Sequence, residues 1–318
     1  MSTQNPISSI LLPVDGSEDS KRAVRLAGCL GTVLGKSISG ITILRVLTGG
    51  YLSRHLGYVD FRAADALKNS EAIKGAREEH IRQNILPLLE ETGKMLKDSG
   101  VEIPVEKLVP DGDAANEIVR VARERNFSTI VMARRGLSTV KGAILGSVTD
   151  KVVHAAYHQT VYIAGHVVSG EKPCPVSRML IPVDGSPFSM KGVEHAAGIA
   201  SAFRTSLKEI TLLRVVNAAF LTAFIQAGED PMQDSQKILE ESRKTLLQRG
   251  IPEEKIKPKI MMGNPPDEIV KEIERENYDL VVIGRKGRTA FRELILGRVS
   301  STVMHRCSRP TIAIVSSE

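Results

Sequence analysis

Short apolar runs alternate with longer stretches of helical periodicity along this chain. In the first half the runs are ISSILLPVD, which ends at Asp15, then SISGITILRVL, VEKLVP, STIVMA and TVYIAG. Between them, SEDSKRAVRLAGCLG predicts a helix with Ser17 as its N-cap. Residues 64–99 are mostly helical in pattern, with a kink or break at Pro87. DAANEIVRVARERN places Ile118, Val119 and Ala122 at helical spacing, and GSVTDKVVHAA predicts a further helix. TIVMA and, later, DLVVIG are apolar throughout, as strands covered on both faces are. Strand–helix alternation of this kind predicts a parallel, doubly wound sheet.

The pattern occurs twice. ILLPVDGSEDSKRAVRLA returns as MLIPVDGSPFSMKGVEHA, and ITILRV returns as ITLLRV. DGDAANEIVRVARERNFSTIVMARRG returns as MGNPPDEIVKEIERENYDLVVIGRKG, and TVYIAG as TIAIVS. Asp15 and Arg45 are separated as Asp184 and Arg214 are, and Gly112 and Gly136 as Gly263 and Gly287 are. The interval between these blocks is about 18 residues longer in the first half, so one insertion distinguishes the copies. The expected division is a first domain over 1–168 and a second over 177–318. A linker over 169–176 lies within the Gly/Pro/Ser-containing VSGEKPCPVS.

Composition narrows the function classes. The 318 residues are 42% hydrophobic and 25% charged, which is ordinary for globular domains. Cys29, Cys174 and Cys307 are odd in number and form no CxxC, so neither a disulfide framework nor a zinc site is expected. No secretory pattern opens the chain and no apolar run is long enough to span a bilayer, so a cytoplasmic location is expected. The net charge of +6 favours anionic partners, but aromatics are only 4%, which argues against stacking on nucleic acid.

Ligands in open α/β sheets bind beyond the carboxyl ends of the strands. Asp15 and Asp184 lie there, each inside Pro-Val-Asp-Gly-Ser. Such a carboxylate accepts from ribose hydroxyls or an adenine amine, or else serves a turn and a helix start. The loop after the fourth strand carries Gly136 and Gly146 in one copy, and Gly284, Gly287 and Gly297 in the other. Glycine lets main-chain N–H groups approach a phosphate, and the last glycine opens a helix whose N-terminus favours anions. Ser147 and Thr149 are candidate hydroxyl donors. The alternative is that these glycines only make turns. The pairs Arg134-Arg135 and Arg285-Lys286 are read mainly as a solvated loop face, with phosphate contact as the alternative. GxxxxGK[ST], GxGxxG after the first strand and GxSxG are all absent. His154 and His305 are equivalent and are expected to be packed or helix-terminal rather than catalytic.

Together these motifs resemble the universal stress protein family in its tandem form, over nearly the whole chain. The resemblance rests on Pro-Val-Asp-Gly-Ser and on Gly-x2-Gly-x9-Gly-(Ser/Thr). It implies two tandem doubly wound five-stranded parallel-sheet domains, Rossmann-like and of the adenine nucleotide alpha hydrolase type. Some members of the family bind ATP and others do not. The resemblance implies a nucleoside pocket at Pro13, Val14, Asp15 and Ile43, or at Pro182, Val183, Asp184 and Leu212. Phosphates would meet Gly136, Gly146, Ser147 and Thr149, or Gly284, Gly287, Gly297, Arg298 and Ser300. Each copy departs once from the motif. Ala133 replaces the first glycine, which either crowds base and sugar or is absorbed, and Arg298 replaces Ser/Thr. Arginine removes a small hydroxyl but offers a strong phosphate partner. The second half is therefore expected to bind nucleotide at least as well as the first.

The function so implied is a cytoplasmic regulator or switch binding ATP, with or without Mg2+, and hydrolysing it slowly if at all. The alternative is an interaction scaffold with degenerate sites and no nucleotide. A nucleotidyl-transferring enzyme has only fold analogy behind it. The resemblance also implies an intramolecular pseudo-dimer through TVYIAG and TIAIVS, and allows a homodimer of chains. The insertion around 48–66 reads equally as a flap or as extra helix. The apolar stretch 218–228 reads as packing on a domain face, or as a partner or membrane-surface patch.

Overall fold

The computed structural model describes residues 5–48, 71–137, 145–166, 176–220, 228, 230–287 and 296–316. Most of the two stretches 48–66 and 218–228 therefore lies outside the described residues. The first half runs β1 (Ile10–Pro13), α1 (Glu18–Leu34), β2 (Ile41–Leu44), α2 (Glu71–His80), α3 (Leu86–Asp98), β3 (Val105–Leu108), α4 (Ala114–Glu124), β4 (Thr129–Met132), α5 (Ser147–Ala155) and β5 (Thr160–Ile163). The second runs β6 (Arg178–Pro182), α6 (Pro187–Ala202), β7 (Glu209–Asn217), α7 (Pro231–Gln248), β8 (Ile256–Gly263), α8 (Pro265–Arg275), β9 (Leu280–Gly284), α9 (Arg298–Arg306) and β10 (Thr311–Val315).

Local chemistry explains the boundaries. Ser17 caps α1 by accepting from Ser20 N, and Ser186 caps α6 by accepting from Ser189 N. The break expected at Pro87 falls just before it. A π-helical turn, Ile81–Ile85, joins α2 to α3, and Pro87 sits in the first turn of α3. A proline lacks the N–H that a regular helix would use there, and a wider turn accommodates that loss.

The ten strands among the described residues form one sheet, ordered β3-β2-β1-β4-β5-β10-β9-β6-β7-β8. Neighbours are parallel except at the centre, where β5 and β10 pair antiparallel, Tyr162 opposite Ala313. TVYIAG and TIAIVS thus form the seam between the halves. Successive strand residues feed opposite faces. Ile10 and Leu12 join one apolar core with Met179 and Ile181, while Leu11 joins the other with Leu180. Each core runs through both halves, one on each face of the sheet.

The seam carries buried polar side chains. The Tyr162 hydroxyl and His195 Nε2 lie 2.7 Å apart, both fully enclosed. Arg134 and Arg285 are 1% exposed, which corrects the reading of these residues as a solvated loop face. Arg134 Nη1 donates to Met304 O in α9 at 2.8 Å. Reciprocally, Arg285 Nη2 donates to His154 O in α5 at 2.6 Å. Burial pushes both guanidinium groups down to about 10. Cys29 is disulfide-bonded, which corrects the expectation drawn from the cysteine spacing. Cys307 is free and buried, and burial raises its thiol to about 11.

The halves differ where β4 and β9 meet the first helix of each copy. A Cβ on Gly284 would sit 2.4 Å from Phe188 O, and one on Gly192 would sit 3.3 Å from Gly284 N. The first half has Ala133 and Ala23 at these positions. The side-chain direction at this position therefore points at the opening turn of the helix, and Ala133 packs on the core. Its methyl is absorbed there by helix packing rather than crowding a pocket. Gly284→Ala is expected to lower unfolding stability by about 2 kcal/mol through overpacking. Ala133→Gly should cost about 1 kcal/mol or less. Urea unfolding of both variants checks this, and equal losses would contradict it.

Candidate functional site

β1 lies between β2 and β4, so the chain reverses its winding between β1 and β4. The crevice at such a switch point is where doubly wound sheets hold ligands. Asp15 follows β1 there. Its Oδ1 accepts from Ser17 N at 3.0 Å and from Ser17 Oγ at 2.7 Å, which is turn chemistry. Its Oδ2 accepts from Leu137 N at 2.8 Å in the loop after β4. Asp184 repeats the first contact, Oδ1 accepting from Ser186 N at 2.9 Å. The glycines are required by this approach. A Cβ on Gly136 would lie 2.4 Å from Asp15 Oδ2, and one on Gly287 would lie 2.6 Å from Asp184 Oδ2. The geometry shows the turn chemistry in one oxygen of Asp15, while the other seats the glycine loop.

The loop is closed at its base. Gly146 N donates to Arg134 O at 2.9 Å, and Gly297 N donates to Arg285 O at 2.8 Å. The last helix of each half begins directly after this closure, and its start differs from most others in the chain. α1, α4, α6 and α7 are each capped by a serine or aspartate side chain. α8 has no such bond, but prolines at its start remove the N–H groups that would need one. α5 and α9 start on Gly146 and Gly297 with no side-chain cap and no proline. Their first-turn amides are the kind that accept an anion.

The predicted hydroxyls divide. Ser147 and Arg298 are exposed at the first position of these helices. Thr149 and Ser300 are buried, and each donates to a strand-end carbonyl. Thr149 Oγ1 donates to Ala133 O at 2.8 Å, and Ser300 Oγ donates to Gly284 O at 2.7 Å. They anchor the helix to the sheet and spend their protons there. Ile43 and Leu212 are fully buried within their strands, with side chains in the core. Pro13 is partly exposed and Pro182 buried, while Val14 N and Val183 N donate into the neighbouring strand at 2.9 Å. Arg45 lies beyond Ile43, and its Nη1 donates to Val14 O at 3.3 Å. Burial lowers its guanidinium, opposed by nearby Asp15.

The second member of each basic pair is anchored to the first helix of its own half. In the first half Arg135 Nε donates to Asp19 Oδ2 at 3.1 Å. In the second, Lys286 Nζ lies 5.4 Å from the centre of the Phe188 ring. An ion pair in one copy is thus a cation–π contact in the other. The composition hid this, but a cation pair directly after two wholly apolar strands was a signal of burial. His154 and His305 are helix-terminal, each with Nδ1 2.8 Å from the carbonyl one turn earlier. His305 Nε2 also faces Asp150 Oδ1 across the seam at 3.1 Å. Among the described residues, no three His, Cys, Asp or Glu side chains gather as a metal site, and no helix is long and apolar enough to cross a membrane.

A tandem α/β protein with a glycine-loop crevice in each half is thus defined by fold and site together. The sequence model of the universal stress protein family matches residues 6–161 and again 175–314, and the chain belongs to that family. A universal stress protein of Mycolicibacterium smegmatis is 24% identical over 317 residues, covering 96% of both chains. One from Methanocaldococcus jannaschii is 28% identical over 140 residues, covering 43% of this chain and 81% of its own. The crystal structure of a universal stress protein from Archaeoglobus fulgidus aligns with TM-score 0.65 at 24% identity, over 99% of this chain and all of that one.

Proposed function

We propose that the protein binds an adenine nucleotide, ATP, in the crevices at Asp15 and Asp184, and acts as a nucleotide-dependent regulator of a stress response in the cytoplasm. The observation that carries this reading is the pair of uncapped helix starts at Gly146 and Gly297, each beside an aspartate-seated glycine loop. The triphosphate would lie against the first-turn amides of α5 or α9, where the helix dipole favours negative charge. Asp15 and Asp184 would hold the sugar end. Arg298 supports tighter binding in the second half, because α9 carries no acid in its first turn whereas α5 carries Asp150. Among the described residues the carboxylates at the crevice, Asp15 and Asp184, are engaged by the turn and the glycine loop, which favours holding nucleotide over cleaving it.

Calorimetry with ATP on protein freed of endogenous nucleotide tests the proposal. Binding is expected at micromolar to millimolar ATP. Asp184→Ala is expected to weaken the second site at least tenfold, about 1.4 kcal/mol. Gly287→Val should abolish it, because the added side chain meets Asp184 Oδ2. Wild-type protein that binds nothing at millimolar ATP sinks the reading and leaves the interaction scaffold.

A further inference from the structure

We infer that Arg134 and Arg285 couple the two candidate phosphate sites, so that filling one raises the affinity of the other. The inference rests on the nucleotide reading above and adds a regulation to it.

The juxtaposition is reciprocal. Arg134 belongs to the first loop: its carbonyl accepts from Gly146 N, the residue that opens α5. Its side chain leaves that half altogether and donates to Met304 O in the last turn of α9. The other end of α9 is Gly297 and Arg298, the start of the second site. Arg285 does the same in reverse. Its carbonyl accepts from Gly297 N, and its side chain donates to His154 O and Ala156 O at the end of α5. Each loop therefore grips the far end of the helix whose near end forms the other site.

Three features make this grip a transmission rather than a decoration. First, the linking elements are short and stiff. α5 and α9 have nine residues each, roughly 13 Å at 1.5 Å per residue. Second, the guanidinium groups have nowhere else to go. Arg134 Nε and Nη2 and Arg285 Nε are buried with no hydrogen-bond partner. Losing the bond to Met304 O would leave the buried Arg134 guanidinium with no protein partner, so that bond is held firmly. Third, both charges sit at helix C-termini, where a cation favours the dipole that also draws an anion to the N-terminus.

The sign follows. An anion on the first-turn amides of α5 orders the loop closure at Gly146 and with it Arg134. A fixed Arg134 fixes α9, whose own N-terminus then loses less freedom when the second anion arrives. Ordering shared in this way gives positive cooperativity, and the effect is necessarily mutual.

The test is an ATP titration of the nucleotide-free full chain, fitted to two binding steps. The second step is expected to be at least about fivefold tighter than independent sites allow. Arg134→Met should still bind two nucleotides, with the coupling cut to what Arg285 carries, and Arg134→Met/Arg285→Met should make the steps independent. Arg134→Lys, which keeps a donor within reach of Met304 O, should retain part of the coupling. Hydrogen exchange gives a readout that does not depend on those variants folding well. In Gly287→Val only the first site fills, yet ATP should slow exchange of amides in the last turn of α9, and should fail to do so once Arg134→Met is added. Two independent steps in the wild type, or one nucleotide per chain, overturn the coupling and leave nucleotide binding standing. Cooperativity unchanged in Arg134→Met overturns the role of the arginine. No binding at millimolar ATP overturns both readings at once.

Discussion

Gly165→Ala is expected to destabilise the whole molecule by about 3 kcal/mol, the upper end of what one overpacked methyl group costs. Gly165 follows β5, where the first half crosses the second. A Cβ there would sit 2.3 Å from Pro310 C and 2.4 Å from Arg309 O. Both are main-chain atoms, so no side-chain rotation relieves the contact. The strain is purely steric, since Gly165 is not among the positive-φ residues. The related position gives the control. Gly165 N donates to Thr311 Oγ1 at 3.4 Å, and Ser316 N donates to Thr160 Oγ1 at 3.3 Å, so the two positions correspond across the seam. Ser316 already carries a side chain, and Ser316→Ala should change stability by about 0.5 kcal/mol or less. Both variants can be compared by urea unfolding at neutral pH. A Gly165→Ala midpoint equal to wild type would show that the seam is loose enough to yield.

That asymmetry illustrates what the chain discloses and what it withholds. The strand–helix alternation and the repeat were legible because periodicity and spacing are local quantities: an apolar run such as TIVMA must be covered on both faces wherever it lies. The seam through TVYIAG and TIAIVS came from the resemblance to the family rather than from the pattern itself. What each charge near the crevice does was not legible, because it depends on a partner far away in sequence. Arg134 reads as a loop residue until α9 arrives from 170 positions later. Thr149 reads as a phosphate ligand until the geometry shows its hydroxyl spent on Ala133 O. The same limit applies to Ala133, whose methyl could be assigned to pocket or core only when the first helix had a position. Glycine was the more readable residue. The repeat singled out Gly136 and Gly287 as positions of close backbone approach, and the structure shows that a side chain there would meet a carboxylate.

The halves have diverged by exchanging one kind of contact for another at matching positions. Asp19 and Arg135 become Phe188 and Lys286, and Ala23 and Ala133 become Gly192 and Gly284. Each exchange keeps the loop tied to the first helix, which is what the crevice requires. By contrast, Ser147 and Arg298 are both exposed at the crevice and anchor nothing to the sheet. The difference there is free to alter ligand affinity without disturbing the fold.

Acidification is expected to weaken the seam through His195. Its ring is fully enclosed beside Tyr162, and burial pushes it down to about 4 from an ordinary value near 6.5. Burial likewise raises the Tyr162 hydroxyl, so at working pH the pair is neutral. The folded pKa lies below the unfolded one, so between pH 6.5 and 4 the unfolded chain binds the extra proton. Stability is therefore complete above about pH 6.5, falls as pH drops towards 4, and loses no more from this group below that. The full loss is about 3 kcal/mol at 1.36 kcal/mol per unit. Carboxylates titrate in the lower part of this window, so the informative quantity is a difference. Tyr162→Phe/His195→Leu removes the titrating ring and leaves no hydroxyl stranded without its partner. Urea unfolding of wild type and double variant from pH 7.5 to 4.5 should show the wild type losing stability more steeply. Parallel curves would mean that His195 takes up its proton without opening the seam.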